Sequence, residues 1–509
     1  MAISRNDASR FLAQASLGAT ADDIVRVQTL GYAGWLDEQF AMAQSESRVA
    51  WLRRKGFADV AFKTSSSSFD AASWRKLLSS PDTLRQRVAL ALSEILVVGM
   101  DGLDNRWRHF TGAAYQDLLE NNAFGNYRTL LEQVSTSPAM GEYLTYRDSR
   151  KANPATGQQP DENYAREIMQ LFTIGLIKLN PDGTPQLAGG AQQPTYGQTD
   201  IIGLARVWTG WVYDFAGGGS DTPDYKLRPM RQSSAAHETG IKAFLGTTIA
   251  ADTDGVTSMR LALDTLFRHP NIGPFVGRQL IQRLVTSNPT PAYVQRVANV
   301  FADNGSGVRG DLKAVVRAVL LDDEARATPT GMVSGKLREP MLRFIHLARM
   351  LGATSPSDDW KVADMSAPDS RLGQSPLRSP SVFNFFRPGY SPPNTVAGAA
   401  GLVAPEFQIA STASVFGYVT CISNALFSST AIGDVRLDRS ALKALAKTAT
   451  PLVDELNTLL AAGQLTSDTT TLIAGAIDTM PSATDTDLVN RVNTALTLVM
   501  AAPQYIVMR

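Results

Sequence analysis

Residues 161–179 read Asp-Glu-Asn-Tyr-Ala-Arg-Glu-Ile-Met-Gln-Leu-Phe-Thr-Ile-Gly-Leu-Ile-Lys-Leu. On a helix with about 100° per residue, the polar side chains form one arc and the apolar side chains fill the rest of the circle. Because the apolar part is wider than a surface helix needs, the pattern predicts a largely buried helix with one polar strip. The strip consists of Glu162, Arg166, Gln170, Asn163 and Glu167.

This polar strip has two interpretations. It combines two carboxylates, two amides and a guanidinium, which is typical of a catalytic or binding face. It also matches a salt-bridged solvent face, because Glu162 and Arg166 have the favoured i,i+4 order. The residues alone favour neither interpretation.

The composition narrows the classes of function. The 509 residues include 48 Lys and Arg and 48 Asp and Glu, so the formal net charge is zero. This balance argues against a dedicated nucleic-acid binder, which usually has a basic excess. Cys421 is the only cysteine, which excludes an intramolecular disulfide and a zinc site built from cysteines.

The hydropathy pattern predicts no transmembrane segment. The best apolar run, Val88 to Met100, contains Glu94 and falls short of the roughly 18 residues that a spanning helix needs. The first residues lead into a predicted helix without the pattern of a signal peptide. If the protein is exported, we expect this chain to be the mature form, periplasmic or secreted.

Helical signals dominate, so we predict a mainly α fold: a large multi-helical body with long ordered loops and a few short strands in its middle segment. The predicted regions are helices at 1–160, a central helical region at 161–352 with an irregular insert at 213–256, and a Pro- and Ser-rich loop with closing helices at 353–509. We expect the three to form one integrated body.

Local signals give sharper expectations. Thr20 is a predicted helix N-cap, and Gly31 is a predicted stop. A helix that starts near Thr199 would place Trp208 and Trp211 on one face. Further predictions are helices at 84–98 and 336–351, strands at 225–228 and 241–245, and a long loop at 353–407 that is a candidate for building a site.

Seven motifs stand out along the chain. They are Arg10-Phe-Leu-Ala-Gln-Ala-Ser-Leu-Gly-Ala-Thr, Asp161-Glu-Asn-Tyr-Ala-Arg-Glu-Ile-Met-Gln-Leu-Phe-Thr-Ile-Gly, Ala205-Arg-Val-Trp-Thr-Gly-Trp, His237-Glu-Thr-Gly-Ile-Lys-Ala-Phe-Leu-Gly, His269-Pro-Asn-Ile-Gly-Pro-Phe-Val-Gly-Arg-Gln-Leu, Leu337-Arg-Glu-Pro and Ala502-Pro-Gln-Tyr-Ile-Val-Met-Arg. In this order and spacing the chain resembles the large bacterial family known as domain of unknown function 1800. The resemblance covers essentially the whole chain.

The resemblance implies a predominantly helical, exported protein. Genes of this family often neighbour those of a twin-arginine-exported family similar to the alkaline phosphatase superfamily, so an exported phosphatase-like protein is an expected partner. The resemblance supplies no catalytic residues. Glu238 departs from the family pattern, because Asp is commoner there, and the longer side chain extends the reach of the carboxylate.

Carboxylates and one histidine are the candidate catalytic groups. Glu167 is the candidate acid or base, but Glu162 lies about 140° away on the same helix, so the two cannot flank one bond. Glycoside hydrolysis needs one neutral buried acid and one ionised acid. His237 lies in a loop-like region, where it could assist as a general base or simply bond to the backbone. The candidates for the second acid are Asp148, Asp200 and Glu339.

Further side chains are candidates for substrate binding. Asn163 and Arg166 would position substrate from the polar strip, and Arg278 would bind an anionic group through its guanidinium. Trp208 and Trp211 could form a platform for a sugar ring, although aromatics at helical spacing are more often core.

Metal and cofactor signatures are weak. His237 and Glu238 are not followed by a second His at the spacing of a metalloprotease motif. We therefore predict no cofactor and no metal site. A site that combines His237, His269 and Glu167 stays an alternative.

These features favour an exported hydrolase or lyase that acts on a carbohydrate-like extracellular polymer through a carboxylate-centred site. A second hypothesis is a non-catalytic accessory or envelope protein that works with the phosphatase-like protein. A third is a metal-dependent or redox enzyme using His237 and His269. The first hypothesis requires Glu167, Arg166 and His237 to converge on one solvent-reachable cleft.

Overall fold

The fold was analysed on a computed structural model that describes residues 2–328, 334–428 and 430–509. The chain is 53% helical, and the strands of the described residues form four antiparallel pairs. These features confirm the predicted mainly α fold with a few short strands. Within the described residues, no helix is both long enough and apolar enough to cross a membrane.

Most helices are short, and loops of varied length connect them. The helices are α1 (Arg5–Ala15), α2 (Ala21–Ala41), α3 (Arg48–Arg54), α4 (Ser67–Ser79), α5 (Thr83–Ser93), α6 (Arg108–Asn121), α7 (Tyr127–Thr136), α8 (Pro138–Tyr143), α9 (Asn163–Glu167), α10 (Gln198–Ala205), α11 (Asp224–Leu227), α12 (Gly255–Arg268), α13 (Ile272–Leu284), α14 (Pro291–Ala302), α15 (Leu312–Leu321), α16 (Asp323–Arg326), α17 (Pro340–Met350), α18 (Val396–Ala399), α19 (Thr412–Phe427), α20 (Ser440–Lys443), α21 (Ala449–Ala461), α22 (Ser467–Asp478), α23 (Asp485–Ala501) and α24 (Pro503–Ile506).

The strands are two or three residues long. They are β1 (Leu187–Ala188), β2 (Ala191–Gln192), β3 (Trp211–Val212), β4 (Arg231–Gln232), β5 (Lys242–Phe244), β6 (Thr247–Ile249), β7 (Lys336–Leu337) and β8 (Val507–Met508). Strand β1 pairs with β2, β3 with β4, β5 with β6, and β7 with β8. The last pair joins a central segment to the end of the chain.

The first two helices follow their capping signals. Thr20 caps α2 as predicted, since its hydroxyl accepts the backbone N–H of Asp23. Gly31 adopts φ 73°, which kinks the element there, as expected of a stop residue. For α1 the sequence predicts Asn6 or Asp7 as the cap. This prediction was wrong, because the side chain of Ser4 accepts the backbone N–H of Asp7 and starts the helix earlier.

The predicted helix 84–98 ends early, at Ser93. Beyond it the backbone bonds to other elements: the Leu96 carbonyl accepts the Tyr115 hydroxyl at 2.6 Å, and the Met100 N–H donates to the Leu377 carbonyl at 2.8 Å. These partners replace the helical ladder. Glu94 is consequently the C-terminal cap residue of α5.

Three other local predictions were wrong, and one was confirmed. Residues 225–227 belong to α11 rather than to a strand, and Arg228 ends that helix. The consecutive residues Tyr225 and Lys226 are both buried, which the alternation of a half-buried strand does not allow. Residues 336–337 form β7, and α17 begins only at Pro340. Trp208 ends a 3₁₀ turn and Trp211 begins β3, so they share no helical face. Residues 241–245 contain β5 as predicted.

Two hydrophobic clusters form the core. The first includes side chains of α1, α2, α5, α7, α10 and α12–α15, and the second includes side chains of α4, α6, α17, α19 and α21–α23. Both clusters contain residues from the N-terminal part of the chain. The division into regions 1–160, 161–352 and 353–509 stays a prediction.

The loop at 353–407 is ordered by side chains from several helices. Arg378 pairs with Asp70 of α4 at 2.7 Å, and Gln282 of α13 donates to the Pro388 carbonyl at 3.2 Å. Asn288 bonds to the backbone of Val403 in both directions. The loop is thereby fixed against α13, where it forms one wall of a cavity.

Gly18, in the first family motif, is required by close packing against α17. It adopts φ 128°, and an added Cβ would lie inside the van der Waals envelope of the His346 ring. That ring is held in place, because its Nε2 accepts the backbone N–H of Ala19 at 3.0 Å. The Gly18→Ala change is therefore expected to lower the free energy of unfolding by about 2–5 kcal/mol, from overpacking plus backbone strain.

Chemical denaturation of the wild-type protein and of the Gly18→Ala variant measures this loss in the free energy of unfolding. Gly56→Ala is the matched control, since Gly56 also has a positive φ of 81° but an added Cβ meets nothing within 4 Å. The Gly56→Ala variant therefore shows only the cost of a positive φ in a residue with a Cβ, about 1–2 kcal/mol. Equal losses in the two variants would contradict the packing role of Gly18.

Candidate functional site

The stretch at 161–179 begins as α9 and continues as a π-helix over Ile168–Thr173. The wider π turn was not predicted from the sequence. It changes the position around the helix axis of every side chain that follows it. Gly175, at φ 67°, follows the end of this segment. As predicted, the apolar residues are largely buried; the fully buried ones are Tyr164, Ala165, Ile168, Met169, Phe172 and Ile174.

The first part of the polar strip is an ion-paired surface. Arg166 lies 3.3 Å from Glu162, and both side chains are partly exposed. Gln198 donates a hydrogen bond to the same Glu162 oxygen at 2.9 Å. Asn163 is half-buried, and its amide lies 3.4 Å from the Thr145 hydroxyl.

Glu167 points away from this ion pair into the protein. Its carboxylate is buried, and Oε2 has no hydrogen-bond partner among the described residues. Burial raises the pKa of Glu167 despite the opposing charge of Arg166. Two tyrosines, Tyr143 and Tyr196, lie near enough for the charge of Glu167 to raise their pKa values as well, although burial is the larger cause.

His237 is held by the backbone. Its Nδ1 lies 3.0 Å from the Thr209 carbonyl oxygen, a contact that requires the proton on Nδ1. Burial lowers the pKa of His237, so the ring is neutral at physiological pH. Nε2 is buried without a partner among the described residues.

The remaining candidate residues lie apart from these groups. Trp208 is fully buried and packs edge-on against Tyr164, with ring centroids 4.8 Å apart. Trp211 is also buried. Arg278 is half-buried, makes no ion pair or hydrogen bond with a described residue, and has its pKa lowered by burial.

The described residues contain no cluster that matches the alternative of a metal site with histidine ligands. In the described ranges 2–328, 334–428 and 430–509, no group of three or more His, Cys, Asp and Glu could hold a metal ion. His237, His269 and Glu167 therefore do not form a common site. His269 instead accepts the backbone N–H of Asn271 at 3.1 Å.

A cavity of about 660 Å³ opens where the central stretch ends. The π-helix and the following turn form one wall, α13 forms a second, and the loop at 353–407 forms a third. Of the polar strip in residues 161–179, only Gln170 lines this cavity. The lining residues are Glu94, Ile95, Gln170, Leu171, Gly175, Leu176, Phe275, Gln279, Arg283, Val382, Phe383, Arg387, Pro388, Gly389, Tyr390, Ser391 and Gln408.

Glu94 and Arg283 form the floor of the cavity, with Arg283 Nε 2.9 Å from Glu94 Oε2. Both side chains are almost completely buried. Glu339 lies close enough to Glu94 for a side-chain hydrogen bond between the two carboxyl groups to raise the pKa of Glu94 and lower that of Glu339. Two carboxyl groups can share such a bond only when one of them carries a proton.

The environment decides which carboxyl is protonated. Burial and the neighbouring charge of Glu339 raise the pKa of Glu94 well above its usual range, and they outweigh the opposing charges of Arg283 and Lys336. Burial also acts to raise the pKa of Glu339, but Lys336, the bond from Glu94 and the charge of Arg87 outweigh it, and the net direction is downward. Glu94 therefore holds the proton and faces the cavity, while Glu339 is ionised behind it.

A buried ionic cluster holds this carboxyl pair. Lys336 Nζ lies 2.9 Å from Glu406 and 3.8 Å from Glu339, and it donates to the Arg283 carbonyl at 2.8 Å. Arg87 donates to the same carbonyl. Gln374 of the long loop donates to Glu339 at 2.6 Å.

Local sequence explains how Glu339 reaches this position. Lys336 and Leu337 pair with Met508 and Val507 at the chain end, and Pro340 begins α17 directly after Glu339. Two family motifs therefore meet to fix one carboxylate. Sequence reasoning considered Glu339 as a second acid, but paired it with Glu167 rather than with Glu94.

Sequence reasoning missed Glu94 as a functional candidate. The available signal was a single carboxylate inside the apolar run Val88–Met100, because buried acids are rare unless they are paired or functional. Arg283 and Gln279 had no comparable signal, since amphipathic helices commonly carry such residues.

A family model described as "Protein of unknown function (DUF1800)" matches residues 10–507. The chain belongs to this family, as the seven motifs indicated. No curated protein and no solved structure matches the chain.

The proton on Glu94 predicts a characteristic pH dependence of stability. Above about pH 4.3 an unfolded-state Glu is ionised, whereas folded Glu94 keeps its proton, so the folded state binds more protons and loses stability as the pH rises. Glu94→Gln removes this loss. We expect the free energy of unfolding of the variant, relative to wild type, to increase from about pH 4.3 upward.

Chemical denaturation at a series of pH values tests the expectation. Glu132→Gln, at a partly exposed surface acid, is the control for the loss of one carboxylate. A difference between Glu94→Gln and wild type that stays constant with pH would show that Glu94 is ionised in the folded protein.

Proposed function

We propose that the protein is an exported hydrolase or lyase of a carbohydrate-like polymer, and that the cavity above Glu94 is its active site. Its volume of about 660 Å³ falls within the roughly 300–1,000 Å³ of small-molecule sites. Export rests on the family resemblance alone.

The walls of the cavity favour a ligand with both apolar faces and hydroxyl groups. Phe275, Phe383 and Tyr390 supply aromatic surface, which suits the C–H faces of a sugar ring. Gln170, Gln279 and Gln408 supply amides that both donate and accept hydrogen bonds. The buried Nε2 of Gln279 has no partner among the described residues, so a ligand hydroxyl would satisfy it.

The observation that carries the proposal is a buried carboxyl on the cavity floor, Glu94, whose pKa is raised by burial and by the charge of Glu339. Glu94 is the only carboxylic acid among the residues that line the cavity. As a general acid it would donate its proton to the oxygen that leaves when the polymer link breaks. In hydrolysis, water would supply the hydroxyl group of the other fragment, and the proton that the water releases would restore the acid form of Glu94. In a lyase reaction, the other fragment would form a double bond by losing a C–H proton, which would restore Glu94 in the same way. Glu339 would act as a positioning residue: its ionised carboxylate keeps the pKa of Glu94 raised, and the Glu94 proton would turn from Glu339 toward the leaving oxygen as it is transferred.

The geometry limits the mechanism. Paired glycosidase carboxyls lie roughly 5–10 Å apart on either side of the bond, whereas Glu94 and Glu339 share a hydrogen bond. The proposed chemistry is therefore assisted by one acid, and Glu339 does not act as nucleophile or base toward the substrate.

A second candidate is the accessory role. Helix α19 contains no charged residue, and three of its large apolar side chains are exposed: Val415, Phe416 and Phe427. Exposed apolar groups on one helix are typical of a protein-contact surface, which supports work alongside an exported phosphatase-like protein.

Turnover of a panel of neutral and acidic polysaccharides tests the enzymatic proposal. New reducing ends with saturated products indicate hydrolysis, and unsaturated products indicate a lyase. Glu94→Gln is expected to lower kcat/KM by about 10²–10⁴-fold, because its amide keeps the shape of the acid without the proton. The surface variant Glu132→Gln is expected to match wild type.

Activity of the Glu167→Gln variant distinguishes the site at Glu94 from the site predicted from the sequence at Glu167. Loss of activity in Glu167→Gln with a fully active Glu94→Gln would transfer the site to the buried acid of α9. A wild-type protein that binds polysaccharide without cleaving any member of the panel would favour the accessory role.

A further inference from the structure

A second, much smaller cavity lies on the other side of the ionic cluster, between α1, α5, α17 and β8. Its volume is about 30 Å³, roughly twice what one water molecule needs. Basic side chains dominate its lining, and no carboxylate contributes to it: the four are Arg87, Lys336, Arg338 and Arg343. This composition is unusual for a buried space, because buried charges normally meet an opposite charge.

Arg338 is the least compensated of these cations. It is only 7% exposed, and its Nε and Nη2 atoms have no hydrogen-bond partner among the described residues. The ionisable groups that affect its pKa are Tyr505, Arg343 and Tyr418, none of which is a carboxyl, and burial lowers that pKa. A guanidinium buried in this way lacks a counter-charge.

Other donors face the same space. Arg87 Nε and Nη1 and the Tyr505 hydroxyl are buried without partners among the described residues. Lys336 and Arg343 are partly satisfied, since Lys336 pairs with Glu406 and Arg343 Nε donates to the Arg338 carbonyl at 2.9 Å. The lining therefore offers several free N–H and O–H groups.

The charges of the ionic cluster and this cavity do not balance. Five buried cations face three buried carboxyls: Arg87, Arg283, Lys336, Arg338 and Arg343 against Glu94, Glu339 and Glu406. With the proton on Glu94, only two of the three carboxyls carry charge. The positive excess lies on the side of Arg338.

We propose that this cavity binds one small monovalent anion of the halide class, with chloride the physiological candidate. A halide accepts hydrogen bonds from several N–H groups at once and supplies the missing negative charge, whereas a water molecule supplies hydrogen bonds only. The small volume excludes sulfate and phosphate. His346, which also lines the cavity, adds no positive charge to it, because burial lowers its pKa to about 3 and leaves the ring neutral.

The anion would join parts of the chain that are distant in sequence. Its ligands come from α5, from the segment before α17 and from α24, next to the Gly18 turn. It would also balance Arg87, which belongs to the cluster that holds Glu339. The site does not depend on any catalytic role of the larger cavity.

Diffraction identifies the occupant. Protein purified and crystallised with bromide as its sole halide is expected to show an anomalous peak within hydrogen-bond distance of Arg338 and Tyr505. An occupied cavity without anomalous signal would show that water fills it, which would overturn the proposal.

Thermal unfolding of the full chain provides the second test. At fixed ionic strength, Tm is expected to rise as chloride or bromide replaces gluconate, because a ligand that binds only the folded state stabilises it by an amount that grows with the logarithm of its concentration above Kd. Arg338→Met removes the charge at similar volume, and the variant is expected to lose the halide dependence while remaining folded.

Arg491→Met is the matched control, since Arg491 is also buried but pairs with Asp478 at 2.9 Å. This variant is expected to lose stability and keep the halide dependence. Wild-type protein with the same Tm in halide and in gluconate would overturn the proposal, and so would a halide dependence that persists in Arg338→Met.

Discussion

The structure depends on the close approach of two buried carboxyl groups, Glu94 and Glu339, of which only one carries charge. Glu94 and Glu339 can lie together only because one proton is shared and because Lys336 and Arg87 stabilise the remaining negative charge. An isolated ionised carboxylate would be too costly to bury, so the surrounding cations are a condition of the fold. They also fix the end of α5, the start of α17 and the chain terminus around one point.

This arrangement connects stability with chemistry. A buried ion pair is often no more stabilising than a well-packed apolar cluster, which leaves function as the better reason for retaining so many charges here. The protonated member of the pair faces a cavity, and the ionised member does not. The two carboxyls thus differ because of their surroundings, as acid and base groups in enzymes commonly do.

Much of the fold could be predicted from the sequence, because it follows from local rules. The cap at Thr20, the kink at Gly31 and the buried face of the central stretch depend on residues that are close in sequence. The 3.6-residue period was sufficient to predict a mainly α fold. Local rules failed where distant partners decide the outcome. Helix α5 is an example: it ends at Ser93, and the backbone beyond it bonds to Tyr115 and Leu377 instead of continuing the helix.

The candidate site was less predictable, for a physical reason. Its main groups come from four separate segments: Glu94, Gln170, Arg283 and the loop around Tyr390. No periodicity in one helix indicates that such residues meet. Within the 161–179 stretch, the candidates predicted from the sequence lie in the first part, whereas the cavity is lined by Gln170 and Leu171. The sequence did not indicate this difference, because a regular α-helix was assumed beyond Glu167.

The π-helix has a consequence for how this family can vary. A π turn corresponds to one residue inserted into an α-helix, and here it sets the rotation of the segment that contains Gln170 and Leu171. Removing one residue between Ile168 and Thr173 would restore a regular helix and turn the downstream side chains by about 100° relative to those upstream. The apolar core would accept many substitutions of similar size at these positions, but a change in length would displace the cavity wall. In this segment, residue number is under stronger constraint than residue type.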